Sequence, residues 1–133
     1  MKIVSVCIIF AVMHLNFIRY SDVKDGKYEP IPAESSWIKS EVGAWMGNYN
    51  VWYKIDKKDN SIRLSYNGKK WSDSSTEAVW HDKHGKWLCL FNNKLMYSEN
   101  GTSWKEIFNR TWQDINGTWY RFDSKWDLWE VKM

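Results

Sequence analysis

The sequence predicts an all-β protein built from antiparallel repeats, and three observations lead to that class. Tryptophans fall in pairs seven residues apart: Trp45 and Trp52, Trp80 and Trp87, Trp112 and Trp119. The pairs recur every 32–35 residues, the signature of a repeat architecture. From Ala44 onward, short runs of aromatic and β-branched residues are bounded by Asn, Asp, Gly and Ser clusters, as strands are bounded by turns.

Taken in chain order, Met1 to about Ser21 stands apart. Lys2 precedes an uncharged apolar run from Ile3 to Met13, and Arg19 closes the segment. This describes a secretory signal peptide. An uncleaved membrane anchor and a buried N-terminal strand or helix are the alternatives, the run being shorter than the ~20 residues of a spanning helix. Residues 22–43, with Asp25-Gly26, Pro30, Pro32 and Ser35-Ser36, read as a linker or lead-in with room for a short helix from about Ser36 to Glu41. Residues 44–133 form the Trp-rich repeat domain. Its expected strands are 51–56, 62–66, 78–81, 86–91, 95–98, 105–108, 118–123 and 127–132.

The turns carry the clearest local chemistry. Asp82-Lys83-His84-Gly85 and Asp114-Ile115-Asn116-Gly117 place Asp first and Gly fourth, which suits a type I turn. A four-residue turn would set Trp80 opposite Trp87, and a bulge at the glycine would shift that register by one. Ser65-x-Asn67-Gly68-x-x-Trp71 and Ser98-x-Asn100-Gly101-x-x-Trp104 repeat a second motif around Asn-Gly, a strong hairpin signal. A hairpin, a further strand, an Asn-Gly turn and a last strand make four short strands per unit, the composition of a propeller blade. About 2.5 such propeller-blade-like units fit before Met133.

The two Ser-x-Asn-Gly-x-x-Trp segments resemble Asp-box repeats, also called bacterial neuraminidase repeats, with Asn67 and Asn100 where that family usually carries Asp. The resemblance implies β-propeller blades in which Ser65, Asn67, Gly68 and Trp71, and likewise Ser98, Asn100, Gly101 and Trp104, shape hairpins away from any active site. A closed propeller uses about 4–8 blades. The expectation is therefore completion by homo-oligomerisation, or else an open twisted sheet or a compact barrel.

Charge and composition exclude some functions. The chain carries 19 basic and 16 acidic residues; without Lys2 and Arg19 the remainder holds 17 against 16. Such a near-neutral, mixed surface lacks the footprint of a nucleic-acid binder, so no nucleic-acid partner is expected. With Cys7 in the leader, Cys89 would stand alone as a small buried apolar residue. His81 and His84 lack further ligands, so no metal site and no cofactor is expected. No phosphate loop or serine elbow appears, and Arg63, Arg110 and Arg121 are few for a sialidase-like enzyme. The matched tryptophans are expected to hold hairpins together.

Trp37, Trp126 and Trp129 lie outside the repeat. Trp126 and Trp129, three apart, cannot share a face of one regular strand. Trp126 and Trp129, with Asp127, Arg121 and Trp37, are therefore the candidate ligand-binding set. An exposed tryptophan flanked by polar groups suits a pyranose ring, and it equally suits a protein partner. The leading expectation is a secreted or envelope-associated, non-catalytic carbohydrate-binding module. Alternatives are an extracellular protein-interaction or inhibitor module and a small glycosidase-like enzyme; membrane contact is expected only through an uncleaved N-terminus. Asn100, Asn109 and Asn116 begin Asn-x-Thr acceptor patterns, two of them in repeated turns.

Overall fold

The computed structural model describes residues 30–72 and 78–131. The leader expected over 1–21 lies outside them. The architecture is all-β, with three antiparallel sheets. The first sheet joins β2 (Ala44–Met46), β3 (Trp52–Asp56) and β4 (Ser61–Ser65). The second joins β5 (Val79–His81), β6 (Trp87–Phe91), β7 (Lys94–Ser98) and β8 (Lys105–Glu106). The third joins β9 (Thr111–Gln113), β10 (Trp119–Phe122) and β11 (Leu128–Val131), and its fourth strand is β1 (Trp37–Lys39).

That last pairing revises the expected boundary at residue 44. Trp37 pairs with Val131 and Lys39 with Trp129, so part of the segment read as lead-in completes the sheet that the C-terminal strands begin. The helix expected near Ser36–Glu41 is instead a 3₁₀ turn at Glu34–Ser36 followed by the strand. Strands β2 and β9 also go unannounced by the sequence. Ala44 and Trp45 are buried, as are all three residues of β9, and a strand covered on both faces shows no period-two alternation.

The seven-residue tryptophan spacing resolves into a register shift. Trp80 opposes Leu88, and it is His81 that opposes Trp87; likewise Trp45 opposes Tyr53 and Trp112 opposes Tyr120. In the Asp82 and Asp114 turns the fourth residue is left-handed, Gly85 at φ 81° and Gly117 at φ 86°. This extra left-handed residue forms a bulge after the type I turn and displaces the pairing by one. Asp82 Oδ1 accepts the His84 and Lys86 amides, and Asp114 Oδ1 accepts those of Asn116 and Thr118. Asp123-Ser124-Lys125-Trp126-Asp127 makes the same turn, its carboxylate accepting the Lys125 and Asp127 amides. Trp126 occupies the glycine position at φ 65°, which hides this third copy from a sequence search.

Because of the shift, the two tryptophans of a pair face opposite sides of their sheet. Trp45, Trp80 and Trp112, all fully buried, meet at the centre with ring centroids 4.9, 5.5 and 5.8 Å apart. Their indole N–H groups have no acceptor among the described residues, a cost of about 1–3 kcal/mol each. Burial of the rings outweighs it, since removing a core tryptophan costs about 3–5 kcal/mol. The second members form satellite clusters: Trp87 packs with Cys89, Met96 and Trp104, and Trp119 with Trp37 and Val131. Trp37 is thus the third-unit counterpart of Trp104. Cys89 is buried, but it is disulfide-bonded rather than a lone thiol; the other cysteine, Cys7, lies outside the described residues.

Contacts link each of the three sheets to the other two. Tyr53 Oη of the first donates to Val79 O of the second at 3.5 Å. Lys83 N of the second donates to Gln113 O of the third at 3.2 Å. Asn116 Nδ2 of the third reaches Met46 Sδ of the first at 3.8 Å.

Candidate functional site

The five residues singled out from the sequence separate into two groups. Trp37, Arg121 and Trp129 share one face of the third sheet, Arg121 standing directly opposite Trp129. The Arg121 guanidinium lies 4.6 Å from the Trp37 ring centroid and forks onto the Glu34 carboxylate, with Nη1 3.0 Å from Oε1. That bond holds the Glu34 carboxyl below its usual range. Trp129 is half-buried, and its indole donates to Asp123 Oδ2 at 2.9 Å.

Trp126 and Asp127 lie elsewhere. Trp126 is 8% exposed, packed on Phe122 at 5.1 Å, with the Arg110 guanidinium 4.0 Å from its ring. The alternation argument, that at least one of Trp126 and Trp129 points outward, does not reach Trp126, because β11 starts at Leu128 and leaves Trp126 in the turn; Trp129 is the partly exposed one. Trp37 is buried like Trp126. Neither offers the open ring face expected of it. Asp127 instead bridges Lys57 at 2.9 Å and Lys39 at 3.4 Å, and the two ammonium groups hold its carboxyl low.

The two Ser-x-Asn-Gly hairpins are built alike. Ser65 Oγ accepts the Asn67 and Gly68 amides at 3.2 and 2.8 Å, and Ser98 Oγ accepts those of Asn100 and Gly101 at the same distances. Asn67 Oδ1 takes the Lys69 and Lys70 amides, and Asn100 Oδ1 those of Thr102 and Ser103. The amide oxygen thus supplies the acceptor an Asp would. Only the oxygen is used, so Asn substitutes for Asp without losing the turn.

Each hairpin frames a surface hollow at equivalent positions, about 390 Å³ in the first sheet and about 270 Å³ in the second. Their linings differ. The larger hollow is flanked by Trp71, half-buried, and Tyr66, 83% exposed, with Asn67, Lys70 and Ser72 as polar groups. In the second, Glu99 stands at the Tyr66 position, and Trp104 is fully buried. Lys54 Nζ lies 4.4 Å from the Trp71 centroid. Sequence reasoning assigned Trp71 to hairpin structure alone. Nothing local to its motif separates it from Trp104, since what differs is the neighbouring strand.

Two turn carboxylates are raised by burial, Asp82 to about 7 and Asp114 in the same direction. Backbone N–H bonds oppose the shift in both. His81 packs against Trp87 with ring centroids 4.7 Å apart and planes tilted by 52°, and burial lowers its imidazole. Among the described residues no three His, Cys, Asp or Glu side chains gather to hold a metal ion. No family model, curated protein or solved structure matches this chain.

Proposed function

We propose that this protein is a secreted, non-catalytic carbohydrate-binding module whose three sheets act as propeller-like blades, and that glycan binds in the hollow beside Trp71. Three features support the blade reading. The inner tryptophans meet at one centre, each sheet contacts the other two, and β1 supplies the outer strand that the third unit lacks. Strand β1 completes the third sheet within one chain, and three blades remain fewer than the about 4–8 of a closed propeller, so homo-oligomeric completion stays part of this reading.

One observation carries the ligand assignment. A half-buried tryptophan and an exposed tyrosine flank a hollow of about 390 Å³ with an amide, a hydroxyl and an ammonium within it. Indole and phenol rings stack on the C–H face of a pyranose, and the polar groups bond its hydroxyls. The test is calorimetric titration with the neutral oligosaccharides that score on a glycan array. Trp71→Ala should weaken binding about tenfold, the loss of roughly 1.4 kcal/mol. Undiminished binding by that variant, or no binding to any glycan, overturns the assignment. A protein-binding role is the second reading. It rests on Tyr49, 89% exposed and left-handed at φ 60° on the first hairpin tip. Exposed tyrosines of this kind serve as interface anchors. Recovery of one partner lost in Tyr49→Ala would support it.

A further inference from the structure

Three Asn-x-Thr patterns fall within the described residues, and their asparagines differ in what holds them. Asn116 is exposed, but its Nδ2 turns to the Met46 thioether of the first sheet at 3.8 Å. Asn109 is half-buried, and Thr111 beside it is buried, its hydroxyl donating to the Asn109 carbonyl at 2.8 Å. Asn100 and Thr102 are both exposed, at the tip of the second-sheet hairpin.

The two ends of the Asn100 amide are used very differently. Oδ1 accepts Ser98 Oγ at 3.1 Å and the Thr102 and Ser103 amides at 2.9 and 3.0 Å. Nδ2 makes no hydrogen bond to any described residue. An Asp would supply the same acceptor, so the turn has no use for the nitrogen. Asn67 closes the equivalent turn through the same contacts, yet Lys69 follows it where Thr102 stands. The hairpin therefore requires neither an amide nitrogen at 100 nor a hydroxyl at 102. Asn100 also borders the hollow of about 270 Å³, where Ser103 and Lys105 offer polar groups beside it.

We propose that Asn100 is an N-glycosylation site, the exposed, unengaged nitrogen being the attachment point. This rests on the secreted reading above, because the co-reactant, an oligosaccharide carried on a lipid diphosphate, belongs to the secretory route. Nδ2 bonds to the anomeric carbon of the first sugar as the bond from that carbon to the diphosphate breaks. The lipid diphosphate leaves with the electron pair, and the amide gives up one proton to the transferring enzyme. The product is still an amide, so its oxygen keeps all three turn contacts while the saccharide stands over the second-sheet hollow. The two equivalent hollows then differ in use: one is covered by the chain's own sugar, and the one beside Trp71 stays open to ligand.

The experiment is expression of the full chain, under its own leader, in a eukaryotic cell, followed by peptide mapping after deglycosylation in heavy-oxygen water. An amidase that cleaves the glycan from its asparagine converts a modified Asn100 to Asp bearing the heavy oxygen and leaves a bare one unlabelled. The label should appear at Asn100 in the secreted, folded fraction and vanish in Thr102→Ala. Asn100→Asp should lose the same glycan mass, with a melting midpoint within about 4 °C of the parent. Secreted protein unlabelled at Asn100 overturns the site and leaves the secreted reading standing. Label confined to retained, aggregated chain also overturns it, since the fold then rejects the sugar. A larger fall in the Asn100→Asp midpoint shows that the nitrogen serves the turn, and it removes the argument for attachment there. A chain that never enters the secretory route removes both readings.

Discussion

The hairpins at 65–71 and 98–104 share their hydrogen bonds almost to the tenth of an ångström, yet they sit on sheets of opposite character. On the second sheet the strand beside the motif brings Cys89 and Met96, and Trp104 is sealed among them. On the first sheet the corresponding positions carry Lys54 and Arg63, which pair across β3 and β4, and Trp71 stays half-buried beneath an ammonium. A repeated motif therefore builds the same turn in both places. Whether its tryptophan becomes core or surface depends on two residues of neighbouring strands. Duplicated scaffolds diverge in this way: local hydrogen bonds persist while one face exchanges apolar groups for charged ones.

The widest separation of the two sheets should appear in stability. Trp104→Ala is expected to cost about 3–5 kcal/mol in urea unfolding, as buried aromatic truncations do. Trp71→Ala should cost about 1–2 kcal/mol, because much of that ring already meets water. Equal costs would show that the two rings are equally structural and that the hollow beside Trp71 has no special availability.

The pH response comes next. Burial raises Asp82 from its ordinary 3.8 to about 7, so the folded state keeps a proton that the unfolded chain releases. Stability at this site is full below pH 4 and declines as pH rises towards 7. Asp82→Asn should flatten that decline and add about 1–4 kcal/mol at pH 8, as read from unfolding midpoints across pH. Asp56 on the first sheet has the opposite sign. The Lys58 amide and Arg63 hold its carboxyl low, so its contribution is present above pH 4 and fades on acidification. A pH profile for Asp82→Asn parallel to that of the parent protein would refute the buried-carboxyl account.

Smaller still is the glycine contrast. A methyl on Gly101, at φ 80°, would meet the Trp87 ring at 3.2 Å, whereas one on Gly68, at φ 75°, lies 3.5 Å from Trp52. Both substitutions strain a left-handed backbone by about 1–2 kcal/mol, and Gly101→Ala should lose up to about 1 kcal/mol more through the crowded contact. The smallest effect belongs to Lys54→Met, expected to change stability by no more than about 0.5 kcal/mol. A large loss there would make the Lys54–Trp71 contact a structural tie and not a surface feature.

Much of the fold was legible because its chemistry is local. The Asp-x-x-Gly turns, the Asn-Gly hairpins and the alternating strands such as Trp52–Asp56 each depend on residues within a few positions of one another. Three features were not. Strand β1 pairs with residues 90 or more positions away, and three residues after two prolines give no periodic signal. The third Asp turn carries Trp126 where glycine was expected, its left-handed backbone offset by packing on Phe122 and Arg110. The burial of Trp126 was hidden for the same reason, since its spacing from Trp129 was read along a strand that begins two residues later.

By itself the sequence determined that this chain is all-β, repeats every 32–35 residues, and turns at the acids and amides that cap its hairpins. Those properties follow from backbone hydrogen bonding and side-chain alternation, which act over a few residues. The tertiary structure alone decided how eleven tryptophans divide among a shared centre, satellite clusters and accessible surface. Left-handed residues in the turns, one at Gly85 and at Gly117 and two at Tyr49–Asn50, accompany a register shift of one that sends paired tryptophans to opposite faces. Burial then depends on which strands, distant in sequence, arrive to cover each face.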